Sequence, residues 1–141
     1  MDVVRALCNS QRQNEIALYT GNDDNIVADL LTPYRFTING KIIEKRFVGG
    51  LLGNWSVWTK NAVELFNDFH QCVSNNYIGV EKLLSKGIEI TDMNDVIFDV
   101  ANSFGVWIQG MHEVFHRKGL LRGTVVIDLD EKFSGRQVVD I

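Results

Sequence analysis

The chain has 141 residues, a formal net charge of −4, 45% hydrophobic and 23% charged residues, which is the composition of an ordinary globular domain with enough length to bury a core. No Lys/Arg cluster offsets the acidic balance, which argues against nucleic acid or an anionic membrane as partner. Cys8 and Cys72 form neither a disulfide framework nor a metal-type pair, and no apolar run approaches membrane-spanning length.

In chain order, residues 2 to 13 read as a short helix with Val3, Val4, Leu7 and Cys8 on one side. Ile16-Ala17-Leu18-Tyr19-Thr20 is a compact apolar run stopped by Gly21, the pattern of a buried strand. Gly21-Asn22-Asp23-Asp24-Asn25 is a polar turn, and Ile26 to Leu31 then reads as a helix that Pro33 ends. Arg35 to Lys45 alternates around Asn39-Gly40, the signal of a two-residue hairpin turn, and predicts a surface hairpin.

The stretch from Arg46 to Phe66 opens with a second apolar run, Phe47 to Leu52, of strand length. It breaks at Gly53-Asn54 and continues as a helix with Trp58, Ala62, Leu65, Phe66 and Phe69 at helical spacing, running to about Val73. Gly49, Gly50 and Gly53 are costly near a strand unless something requires bare backbone. Two reasons stand side by side: a ligand approaching the strand end, or a helix packed closely on the sheet.

Tyr77 to Lys86 predicts a further short helix closed by Gly87. Thr91-Asp92-Met93-Asn94-Asp95 has the oxygen-bearing residues of a helix start. The long helix expected after it carries Ile97, Val100, Ala101, Phe104, Trp107, Ile108, Met111 and Phe115 on one stripe and ends at Gly119. Val125-Val126-Ile127 is a short apolar run, and Ser134 reads as the cap of another helix.

His112-Glu113-Val114-Phe115-His116 matches H-E-x-x-H, in which two histidines one turn apart share zinc and the glutamate activates bound water. The longer form of the motif needs a third ligand where this chain has Arg122, which cannot coordinate a metal. Asp128, Asp130 and Glu131 lie downstream without a recognisable third-ligand pattern. The expectation is therefore no metal and no cofactor, with a zinc-dependent hydrolase on His112, Glu113 and His116 as the alternative.

The segments IALYTGNDDNIVADLLTPYRF and RFVGGLLGNWSVWTKNAVELF together resemble the seventh and eighth βα units of TIM-barrel proteins related to dihydrodipicolinate synthase. More narrowly, they resemble an uncharacterised bacterial family described as dihydrodipicolinate-synthase-like. The tail from MHEVFHRKGLLRG to DEKFSGRQ is similar to that family's C-terminal helices. The family carries the first histidine and the glutamate but not the second histidine, which implies that H-E-x-x-H is accidental here.

The resemblance implies an α/β fold. Residues 1–141 would be a single incomplete domain, the C-terminal part of a (β/α)8 barrel, with an inserted hairpin and C-terminal helices. A complete barrel needs about 250 residues, so the expectation is a longer parent. The wider superfamily comprises class I aldolases and lyases acting on 2-oxo acids through a lysine Schiff base. That lysine belongs to strand six, ahead of the first residue here, and none of the chain's lysines lies inside an apolar strand.

What matches is the substrate rim: Thr20, Gly21, Asp23 and Asp24 after one strand, and Gly49, Gly50, Gly53 and Asn54 after the other. The implied partners are a small-molecule substrate and either a second copy or the missing N-terminal barrel half. A cytoplasmic location is the default expectation, and a non-catalytic oligomeric half-barrel is a further alternative.

Overall fold

The computed structural model describes residues 1–51, 53–128 and 130–141, with the side chains of Asn54 and Arg136 outside the description. The fold is mixed α/β, about half helical, with one parallel and one antiparallel strand pair. The chain divides into two compact units, one from residues 1–52 and 65–87, the other from 53–64 and 88–141.

The first unit begins with α1 (Asp2–Asn9), which is shorter than its sequence pattern suggests. Val4, Leu7 and Cys8 are buried on its inner side, whereas Val3 is 74% exposed. The strand β1 (Leu18–Thr20) leads through the 21–25 turn into α2 (Ile26–Leu31). Ile26, Val27, Leu30 and Leu31 are all buried, and each stabilises the unit by roughly 1.5–3 kcal/mol relative to exposure.

The hairpin pairs β2 (Tyr34–Ile38) with β3 (Lys41–Lys45) in antiparallel register. Asn39 and Gly40 both have positive φ (50° and 75°), the backbone that a two-residue turn needs to follow the strands' twist. The hairpin is more than a surface excursion. Phe36 is buried in one cluster with Val4, Leu7, Cys8 and Leu18, and Tyr34, Ile38, Ile43 and Phe47 pack against that cluster. The opposite face carries the Arg35–Glu44 ion pair at 2.8 Å and leaves Ile42 exposed. Period-two alternation thus gives the hairpin one core face, which covers α1.

The strand β4 (Phe47–Gly50) lies parallel to β1, with Leu18 opposite Phe47, Tyr19 opposite Gly49 and Thr20 opposite Gly50. The register slips between Leu18 and Tyr19, so two steps on β4 match one on β1, as at a bulge. The helices α3 (Thr59–Ser74) and α4 (Val80–Ile97) contribute residues to both units. In the first unit Phe69, Cys72 and Leu83 are buried. Both cysteines are unpaired and buried, as expected of packing residues.

Two helix boundaries differ from the sequence expectation. The helix α4 runs unbroken through Gly87 and through Thr91–Asp95, because extending an existing helix fixes one residue per hydrogen bond whereas starting a new one fixes several. Gly87 also has a packing reason, since a Cβ there would lie 3.1 Å from the Cβ of Val27.

The expected continuous helix beyond Ile97 is instead interrupted. A 3-10 turn covers Val100–Asn102, Asp99, Ser103 and Phe104 have positive φ, and α5 begins only at Trp107 and ends at Arg117. The apolar run at 125–127 forms no strand; Val126 is buried while Val125 and Ile127 are exposed.

In the second unit Val57, Ile97, Phe98 and Val114 form the core, with Trp58, Met93, Met111 and Phe115 packed around them. Ser134 caps α6 (Gly135–Asp140) in a reciprocal capping box with Gln137, satisfying donors that a helix start otherwise orphans. The same hydroxyl donates to Asp99 Oδ1 at 2.9 Å, and Asn102 Nδ2 donates to that oxygen at 2.7 Å. Gln137, 2% exposed, donates from Nε2 to the carbonyl of Ile97 at 3.1 Å. These bonds hold the break between α4 and α5 in place.

Candidate functional site

Parallel strands emerge from their sheet at the same end, so the loops after β1 and β4 share one edge. Thr20 and Gly50 are paired there, and the amide of Leu51 donates to the Thr20 carbonyl at 2.9 Å. Gly21 is exposed, and among the described residues a Cβ placed on it would meet within 4 Å only the Leu51 carbonyl oxygen, at 3.8 Å. Thr20, Gly21, Gly49 and Gly50 of the expected rim are therefore brought together.

The loop between β1 and α2 is braced by residues that the sequence reading did not single out. Asp29, on α2, accepts the hydroxyl hydrogens of Thr20 at Oδ2 (2.7 Å) and of Tyr34 at Oδ1 (2.6 Å). Thr20 Oγ1 in turn accepts the Asn22 amide at 3.2 Å. Thr20 is 5% exposed, and its hydroxyl both donates and accepts in holding the loop. The available signal was Asp29 itself, the one polar residue in IVADLL. Burial raises the Tyr34 phenol above the ordinary range, helped by its hydrogen bond to Asp29 and by that carboxylate's charge.

Asp23 is half-buried and Asp24 exposed. Burial raises the Asp23 carboxyl above the usual carboxylate range, and the neighbouring Asp24 charge adds to the effect. Neither aspartate occupies the cap position of α2, which is Asn25, and Asn25 makes no side-chain capping bond.

The glycines have local packing reasons. A Cβ on Gly49 would lie 2.3 Å from the Tyr19 ring, and one on Gly50 would lie 2.7 Å from Ile26 Cδ1. Gly53 belongs to the second unit, where a Cβ would sit 2.5 Å from the Phe98 ring. Asn54 stands beside it in a 3-10 turn (Gly53–Ser56), with its side chain outside the described atoms. Leu52, expected to end the second strand, lies outside the described residues.

The H-E-x-x-H residues lie on α5, each with its own environment. Glu113 pairs with Arg117 at 2.7 Å, and His116 Nδ1 lies 3.1 Å from the Leu121 carbonyl oxygen. His112 Nδ1 is buried without a hydrogen-bond partner among the described residues. Among the described residues no three His, Cys, Asp or Glu side chains are grouped to hold a metal ion, and no described helix is long and apolar enough to cross a membrane.

No protein-family model matches the chain, and it has no significant match to a curated protein or to a solved structure.

Proposed function

We propose that this chain contributes the substrate rim of an aldolase-like carbon–carbon lyase acting on a 2-oxo acid or a related small carbonyl compound. In this reading β1–α2 and β4–α3 are the seventh and eighth βα units of a (β/α)8 barrel. The Schiff-base lysine comes from elsewhere in the assembled barrel, supplied by a second polypeptide segment.

The parallel pairing of β1 with β4 is the observation that carries the reading. Parallel pairs are rarely left as isolated ribbons, because their faces are normally covered and their edges extended by further βα units. Ligands of such sheets gather at the carboxyl ends of the strands. At that end Gly21 leaves its backbone approachable. Asp23, whose carboxyl is raised above the usual range by burial and by the Asp24 charge, stands in the same loop, where a carboxylate accepts a hydrogen bond from a substrate hydroxyl. The Thr20–Asp29–Tyr34 bonds keep the loop in one geometry before a ligand arrives, which lowers the ordering cost of binding.

Calorimetric titration with pyruvate, paired with borohydride treatment of the mixture, tests this. The expected result is saturable binding weakened about tenfold in Asp29→Asn, the scale of losing a supporting hydrogen-bond partner, with the mass of the chain unchanged by borohydride. Absence of binding, or a reduced imine on one of the seven lysines, contradicts the proposal.

A further inference from the structure

At the corner between α4 and α5 the local sequence and the observed backbone disagree. Ile97, Ala101, Phe104, Ile108, Met111 and Phe115 recur every three or four residues, the spacing of one continuous helix. The chain instead bends between Ile97 and Trp107, with Asp99, Ser103 and Phe104 at φ of 53°, 59° and 62°. Aspartate tolerates that left-handed region, whereas a residue as bulky as Phe104 is strained in it. Phe104, Trp107 and Ile108 also remain exposed on the bent chain.

One C-terminal segment holds the bend closed. The Ser134 hydroxyl donates to Asp99, and the Gln137 amide donates to the carbonyls of Ile97 (3.1 Å) and Val106 (3.5 Å). Across the bend, α5 seats on the end of α4. Val114 is buried with Ile97 and Phe98, and a Cβ on Gly110 would stand 2.1 Å from the Ile97 carbonyl oxygen. These packing contacts join α4 to α5, so the α5 of a second copy can supply them equally well.

We propose that this corner is a hinge for exchange between two copies of the chain. The bend straightens, α4 and α5 join as one helix over 80–117, and α5 and α6 pack on the end of the partner copy's α4. Exchange of this kind rebuilds the packing of the closed chain between molecules, and a hinge under strain favours it. Straightening releases the left-handed residues, and continuing a helix that already exists adds one hydrogen bond per residue fixed. The exposed apolar side chains of the two hinges then lie against each other near the two-fold axis of the dimer. The closed form keeps the Ser134 bond to Asp99 and needs no second molecule, so protein concentration decides between the two.

The test is to unfold the full chain, refold it at low and at high concentration, and sort the products by gel filtration with light scattering. The expected result is monomer from dilute refolding and a dimer fraction that grows with concentration. In dimers refolded from a mixture of 13C-labelled and unlabelled chains, isotope-filtered NOEs should connect Ile97 of one copy with Val114 of the other. Phe104→Gly removes the strain at that position and weakens the joined helix. It should lower the association constant at least about tenfold, the scale of one left-handed penalty. Gly105→Ala should raise it, because alanine favours the helix and its Cβ would meet the Asn102 carbonyl oxygen at 3.2 Å in the bent form. A chain that stays monomeric at every concentration, Ile97–Val114 NOEs within one copy only, or a dimer indifferent to both substitutions overturns the proposal.

Discussion

Asp29 sets the chemistry of the β1–α2 loop through two short hydroxyl bonds, from Thr20 and Tyr34. Removing the phenol in Tyr34→Phe leaves Asp29 Oδ1 without that donor, and should cost about 1–2 kcal/mol, the range for a part-buried bond to a charged acceptor. Because the folded chain raises the Tyr34 pKa, the phenol's proton is bound more tightly in the folded than in the unfolded state. The contribution is therefore whole below the unfolded value of about 10 and is lost as pH rises through the folded one. Denaturant unfolding of both proteins across pH 7–11 should show a stability gap that is constant to about pH 10 and narrows beyond it. A gap that widens with alkali would contradict the assignment. None of this was legible beforehand, because Thr20, Asp29 and Tyr34 are nine and five positions apart and meet only through the turn of the chain. The Asn39-Gly40 turn, by contrast, was legible from two adjacent residues, since few others tolerate its positive φ.

Among the elements, close approach at glycine separates the strands that pack tightly from those that do not. A methyl group on Gly50 would strike Ile26, which is 1% exposed and has nowhere to move. One on Gly49 would strike the Tyr19 ring, which is 65% exposed and can swing aside. Gly110 is the extreme case, with a Cβ position 2.1 Å from the backbone carbonyl oxygen of Ile97. Gly50→Ala should therefore cost about 1–3 kcal/mol, the usual range for overpacking. Gly49→Ala should cost less than that, and Gly110→Ala at least as much, all read from chemical unfolding midpoints. Gly49→Ala proving the most damaging would overturn this ordering. The parallel strands were readable as apolar runs bounded by glycine. The run of α4 through Thr91–Asp95 was not, because residues that cap a helix also sit within one when the helix is already formed upstream. The break after Ile97 is set by a long-range contact, Ser134 to Asp99 across 35 residues, that local periodicity does not record.

At the scale of the whole molecule, two apolar runs each leading into a helix, taken with the family resemblance, anticipated a mixed α/β chain with a parallel strand pair. The two compact units were not anticipated, since their boundaries fall inside α3 and α4 rather than at a polar linker. The proposed lyase rim depends on the carboxyl ends of β1 and β4 acting as one binding edge. A 1H–15N titration of the full chain with pyruvate tests that claim most directly. The account predicts saturable shifts concentrated at the amides of Gly21, Asn22, Asp23 and Asp24 and of Gly49, Gly50 and Leu51. Shifts that are absent, or confined to residues outside these two loops, would contradict it.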